Sequence, residues 1–185
     1  MNRLALVVSL AAAGSALAAP TLLEVSAGLD STPQTNGGEL RWYAPGVELS
    51  AHHPLGEHFS LGGELAWSRH ASFPVLSDCF DCEFATNADG FRGGPSARWS
   101  WAVERIQLYL QVGPQLTVAV LHTRGGFSGE GVDHVFAGAA LAVRAGVLIA
   151  LNTWFGLGAA IGGWAGTASL GGVGGTGAMI IALRL

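Results

Sequence analysis

Two cysteines and six histidines are the residues of this 185-residue chain best suited to covalent or metal chemistry. Cys79-Phe-Asp-Cys82 has the spacing of a metal knuckle or a redox dithiol, but a zinc site needs two more Cys or His ligands and no second such pair exists. With an export signal at the start of the chain, Cys79 and Cys82 read as a short loop disulfide. Asp78, Asp81, Glu83 and Asp89 make the same segment acidic. Weak divalent-cation binding is the alternative there, against a solvated acidic loop. His58-Phe-Ser60 and His70-Ala-Ser72 each set a histidine two residues before a serine, the pairing that activates a hydroxyl for nucleophilic attack. Such spacings also arise by accident, and no catalytic, cofactor-binding or metal-ligating residue is assigned. A last group carries charge: Glu24, Glu48, Glu64, Arg92, Arg98, Arg144 and Arg184 each interrupt an otherwise apolar, alternating stretch.

The elements that position these residues are strands. In residues 106–120, Ile106, Leu108, Leu110, Val112, Pro114, Leu116, Val118 and Val120 recur at every second position, with Gln107, Tyr109, Gln111, Gly113, Gln115, Thr117 and Ala119 between them. A period of two means strand. Fifteen residues at ~3.3 Å each give about 50 Å, or about 35 Å along a membrane normal at a tilt of ~45°. One apolar and one polar face fit either a soluble sheet on its core or a barrel wall in lipid.

Composition separates the two. Charged residues are 12% of the chain, Gly accounts for 28 positions and mean hydropathy is +0.41, whereas a soluble domain carries roughly twice that charged fraction. Arg3 followed by apolar residues 4–17 and the Ala16-Leu-Ala18 site form a secretory signal peptide of the Sec type over residues 1–18, too short to span a bilayer. The remaining residues, 19–185, are one domain, which holds 8 Arg, no Lys and 13 acids. Nucleic acid is therefore a poor partner. A hydropathy window over residues 145–165 suggests a helix, but Gly146, Gly156, Gly158, Gly162 and Gly163 and the alternation of Phe155, Leu157, Ala159 and Ile161 favour strand.

In chain order the same period marks strands near residues 23–30, 40–53, 59–68, 91–102, 106–120, 135–149, 155–167 and 177–185. Composition assigns loops to 31–38, 71–89, 124–133 and 169–176, and short turns to 54–56, 104–105 and 152–154. Long and short connections alternate, as they do in barrels with short periplasmic turns and longer external loops.

The signal peptide, the eight alternating strands and a last strand with Met179, Ile181, Leu183 and Leu185 on one face resemble the small OmpA-like and OmpX-like outer-membrane barrels of Gram-negative bacteria. The resemblance covers essentially all of residues 19–185 and is one of pattern. The chain departs from that family in ending on Leu185, where an aromatic residue is usual. The resemblance implies an all-β, eight-stranded antiparallel up-and-down transmembrane β-barrel. It further implies a monomer that contacts outer-membrane lipid and lipopolysaccharide and meets the assembly machinery through its last strand.

In such a barrel Phe59, Trp99, Trp101, Trp154 and Phe155 form an aromatic girdle near the short-turn end, with Trp67 and Phe91 at the other. Glu24, Glu48 and Glu64 then face Arg92, Arg98, Arg144 and Arg184 inside a lumen that side chains can fill, where unpaired charge is costly. A Glu/Arg plug follows, with Gly138, Ala140, Ala142, Gly156, Gly158, Ala160, Gly162 and Ala182 leaving room for it. The expected function is structural or surface-interacting, with recognition by the external loops. A narrow, porin-like channel and a lipid A-modifying enzyme are the alternatives. Outer-membrane lipid A deacylases use a His/Ser pair with an acid on the outer wall, whereas His58 and Ser60 are expected inside and His70 and Ser72 in a loop. A soluble lipocalin-like barrel fails because eight strands cannot hold this many large aliphatic side chains inside. The two-residue turn also sets Pro95 opposite Pro114, which suggests a bulge or the barrel rim at that level.

Overall fold

The computed structural model describes residues 21–33, 40–71, 84–124, 131–167 and 173–185. Among these residues the strands are β1 (Leu22–Pro33), β2 (Leu40–Pro54), β3 (Phe59–Ala71), β4 (Phe84–Val103), β5 (Ile106–Arg124), β6 (Gly131–Ala150), β7 (Phe155–Gly166) and β8 (Val173–Arg184). Each is antiparallel to its sequence neighbour, and β1 pairs with β8 to close the barrel. Closure gives every strand two partners and leaves no edge to pair with another chain.

Alternation decides which side chain points where. Along β5, Ile106, Leu108, Leu110, Val112, Leu116 and Val118 are exposed on the outer wall, while Tyr109, Gln111, Gln115 and Thr117 are buried inside. The usual soluble pattern is inverted: the large aliphatic residues are outside and the amides inside.

Several strands run further than composition indicates. β4 begins at Phe84, β6 at Gly131 and β8 at Val173, so residues 84–89, 131–133 and 173–176 are strand rather than loop. Polar and glycine-rich sequence makes poor strand in isolation, but a paired neighbour supplies the missing drive. Asp89 stands opposite Val120, His122 opposite Asp133, and Gly174 opposite Trp164. Residues 145–165, apolar enough to suggest a helix, are the end of β6, a turn and the bulk of β7. At the hairpin turn between β4 and β5, Glu104 takes φ 56°, the positive value that two-residue hairpins use to match strand twist.

The facing prolines neither bulge the wall nor mark its rim. The ladder between β4 and β5 lapses over residues 94–96 and 113–115 and resumes at Gly93–Leu116 in the same register, and both strands continue well beyond. From the turn pair Val103–Ile106, every second pair exchanges two hydrogen bonds, which makes Pro95–Pro114 a position where both N–H groups are missing. Glycine flanks both prolines: Pro114 O sits where a Cβ on Gly94 would stand, and Pro95 O where one on Gly113 would stand, the same close approach that Gly28, Gly62, Gly158 and Gly166 make to a facing carbonyl.

Candidate functional site: the filled lumen

The lumen is crossed by one continuous polar assembly. Arg98, on β4 and 1% exposed, grips Glu24 on β1 through two parallel hydrogen bonds, Nη1 to Oε1 and Nη2 to Oε2, both 2.6 Å. This fork geometry is the strongest form of a charge-assisted pair. Ser50 Oγ donates to Glu24 Oε2 at 3.2 Å. The remaining face of the guanidinium meets Gln111 on β5, with Nε and Nη2 donating to Oε1 at 3.1 and 2.7 Å. That orients the Gln111 amide, whose Nε2 donates to Glu64 on β3. Gln115 Nε2 donates to the other Glu64 oxygen. Glu64 is thus held by two amides.

Toward the long-loop end the pairing changes. Arg144 on β6 pairs with Glu48 on β2, and its Nη2 donates to Ser26 Oγ at 3.2 Å. Arg92 donates to Asp30 Oδ2 at 3.0 Å and lies 5.8 Å from the Trp164 ring centroid. Asp30 was not among the residues singled out from sequence. Arg184 stands apart from these acids at the short-turn mouth, where its Nη2 reaches Gln107 Oε1 at 3.4 Å.

Sequence reading expected mainly Gly and Ala inward on β6 to β8, but Leu148, Trp164 and Ile180 also point in and are buried. The signal was available, since each falls on the even-numbered face that Arg144, Ala160 and Ala182 define. The small residues act as seats for large ones. A Cβ on Gly146 would strike the Tyr109 ring, and one on Gly174 the Trp164 ring. Tyr109 in turn carries Arg98 4.1 Å above its centroid, a cation–π contact in a buried site.

On the outer wall Phe59 and Trp99 stand opposite one another on β3 and β4, their centroids 4.7 Å apart at 58°. Trp101 and Trp154 are exposed at the same end and Phe155 is half-buried. Trp67 and Phe91 pair across β3 and β4 toward the other end. Past the apolar band on that side, His122 Nδ1 lies 2.7 Å from Asp133 Oδ1 and Nε2 3.3 Å from Asp89 Oδ2. The hydrogen bond to Asp133 and a second to Asp89 favour the imidazolium and raise its pKa above the usual histidine value.

Among the described residues, the His58/Ser60 pair does not assemble. His58 Nδ1 takes the Ser100 carbonyl at 3.1 Å rather than serving Ser60. Cys79, Cys82, Ser72 and residues 1–20 lie outside the described residues, as does the side chain of His70. Inside the packed lumen, Ser96 Oγ shares a 2.9 Å hydrogen bond with His52 Nε2.

No family model and no curated sequence matches the chain. Solved structures do. Neisserial surface protein A (NspA) superposes with a TM-score of 0.63 at 15% identity, covering 89% of this chain and 97% of the other. Ail, the attachment invasion locus protein of Yersinia pestis, gives 0.59 at 15% identity over 91% and 99%. The N-terminal barrel domain of Pseudomonas aeruginosa OprF gives 0.52 at 13% identity over 89% and 97%. At these identities the likeness is one of fold: this chain has the architecture of the small eight-stranded outer-membrane barrels.

Proposed function

We propose that this chain is a monomeric outer-membrane barrel, exported through a Sec-type signal at residues 1–18, whose wall is structural, whose lumen is plugged and whose external loops carry recognition. The observation that carries the reading is the inversion of the two faces. Unbroken apolar residues on the outside of β5 and a hydrogen-bonded ionic assembly on its inside suit lipid around the barrel and no solvent path through it. The aromatic residues near both ends of the apolar band fit the two interfaces. The name of one similar structure, the attachment invasion locus protein, agrees with a surface-interaction role. Outer-membrane lipid and lipopolysaccharide would be its surroundings, and β8 the element read by the assembly machinery.

Fractionation and heat-modifiable migration in detergent gels test this. A protein in the outer-membrane fraction whose mobility shifts on boiling is expected, and recovery in the soluble periplasmic fraction overturns the reading. A narrow channel is the second reading, since the short-turn end of the lumen opens into a cavity lined by Leu22, Gln107, Leu148 and Arg184; ion flux through the wild-type protein in bilayers would favour it.

A further inference from the structure

We propose that the short-turn mouth of the lumen is a binding site for a phosphate-class oxyanion, held between Arg105 and Arg184. The site lies at the end opposite the external loops and owes nothing to their recognition. Inside the barrel, arginine is otherwise answered by acid: Arg92 by Asp30, Arg98 by Glu24 and Arg144 by Glu48. Arg105 and Arg184 are not. Arg184 takes the inward face of β8 that Ile180 and Ala182 define, and Arg105 stands in the turn that leads into β5. Both line the cavity at this end, and no acidic residue lines it with them. Glu104, beside Arg105 in the turn, forms no ion pair with either arginine among the described residues. Glu24, opposite Ala182 across β1 and β8, is already gripped by Arg98.

The neutral polar groups at this mouth present donors as well. Trp154 N and Phe155 N both donate to Asn152 Oδ1 at 2.8 Å, so the end of that amide left over is Nδ2. Arg184 Nη2 donates to Gln107 Oε1 at 3.4 Å, which leaves Gln107 Nε2. The side-chain acceptors of both amides are thus spent within the protein. What remains around the cavity is two guanidinium forks and two amide donors, the set that suits the oxygens of a phosphate group. A metal cation would meet N–H groups where it needs oxygen ligands. Leu148 and Ala182, 4% and 3% exposed, close the inner end, and with the lumen filled beyond them the cavity is a blind seat. Both arginines are exposed at its open side. Solvent and salt screen them there, so the affinity is modest, with a Kd on the order of 1 mM. The phosphate group arrives free from the short-turn side or as the headgroup of a phospholipid at the rim; the chemistry that holds it is the same.

The test is side-chain NMR of the full-length protein in octyl glucoside micelles, which carry no phosphate, with heat-modifiable migration as the control for folding. Titration with inorganic phosphate is expected to move the Gln107 and Asn152 amide signals and the Arg184 Nε–H signal along a saturable curve, beyond what sodium chloride does at matched ionic strength. Arg105→Gln and Arg184→Gln should each weaken that binding by about tenfold or more. Arg69→Gln, at an exposed position on the outer wall of β3, should leave it unchanged. Phosphatidylglycerol added to the same micelles distinguishes the sources: saturation by the lipid at a lower concentration than by free phosphate assigns the site to a headgroup, and the reverse assigns it to a free anion. Shifts with phosphate and lipid no larger than those with sodium chloride overturn the inference, since the two arginines are then only solvated. Equal affinity in the wild type and both arginine variants overturns it too. Should a variant not fold, the wild-type titration decides alone. Neither result touches the outer-membrane reading, which fractionation decides.

Discussion

Pro95 and Pro114 face each other across β4 and β5 where that ladder lapses, and the carbonyl of each stands over the glycine that precedes the other proline. Four residues, Gly94-Pro95 and Gly113-Pro114, thus form a reciprocal unit. Gly113→Ala would push a methyl into Pro95 O, and backbone cannot give way as a side chain can. We expect a loss of about 1–3 kcal/mol, read as a lower urea midpoint for the folded barrel in lipid vesicles. An unchanged midpoint would show that the carbonyl is free to move.

Arg98 and Glu24 are buried and hold one another in a closed fork. Arg98→Ala leaves a carboxylate uncompensated and should cost about 3–5 kcal/mol. Adding Glu24→Gln should recover part of that, because the orphaned charge goes with it. A double-mutant cycle on unfolding free energy measures the coupling, and strict additivity would mean that the fork contributes nothing beyond its separate members.

The Tyr109 hydroxyl is buried without a partner while its ring is fully used, by Arg98 on one side and Gly146 on the other. Tyr109→Phe is therefore expected to be neutral or to stabilise by up to about 1 kcal/mol. Gly146→Ala should destabilise by about 1–3 kcal/mol by displacing the ring. Unfolding in urea separates the two directions, and a large loss on Tyr109→Phe would reveal a partner for the hydroxyl.

His122 binds Asp133 and Asp89 most firmly as imidazolium, so its pKa is raised on folding. A raised value means the stabilisation is fully present below the unfolded histidine pKa of about 6.5 and fades as pH climbs through the folded value. Amide exchange at the His122 ends of β5 and β6 should accordingly quicken, beyond its intrinsic pH dependence, as pH rises above neutrality. His122→Gln should remove that extra dependence. Equal pH profiles for both proteins would count against the pairing.

The sequence by itself determined the fold class, the number and order of strands and, away from the register shifts at Asp30/Ser31 and Ala85/Asn87, the side of the wall a residue takes, because side-chain direction in a regular strand follows from position parity. Strong alternation in residues 106–120 and the shortage of charge carried that reading. It also brought Glu24, Glu48, Glu64, Arg92, Arg98 and Arg144 to the inside, but parity places a residue on a face and says nothing of its height or its partner. Only the closed register decided that Arg98 meets Glu24, that Arg92 meets Asp30 rather than a glutamate, that Glu64 is held by Gln111 and Gln115, and that Arg184 stands at the mouth. Strand ends escaped for the same reason: Asp89, Asp133 and Gly174 belong to β-structure through the neighbours they pair with, residues that are 31, 11 and 10 positions away in the chain and opposite in space. Local sequence sets the period of a strand, while pairing across the barrel sets where it stops and what its charges touch.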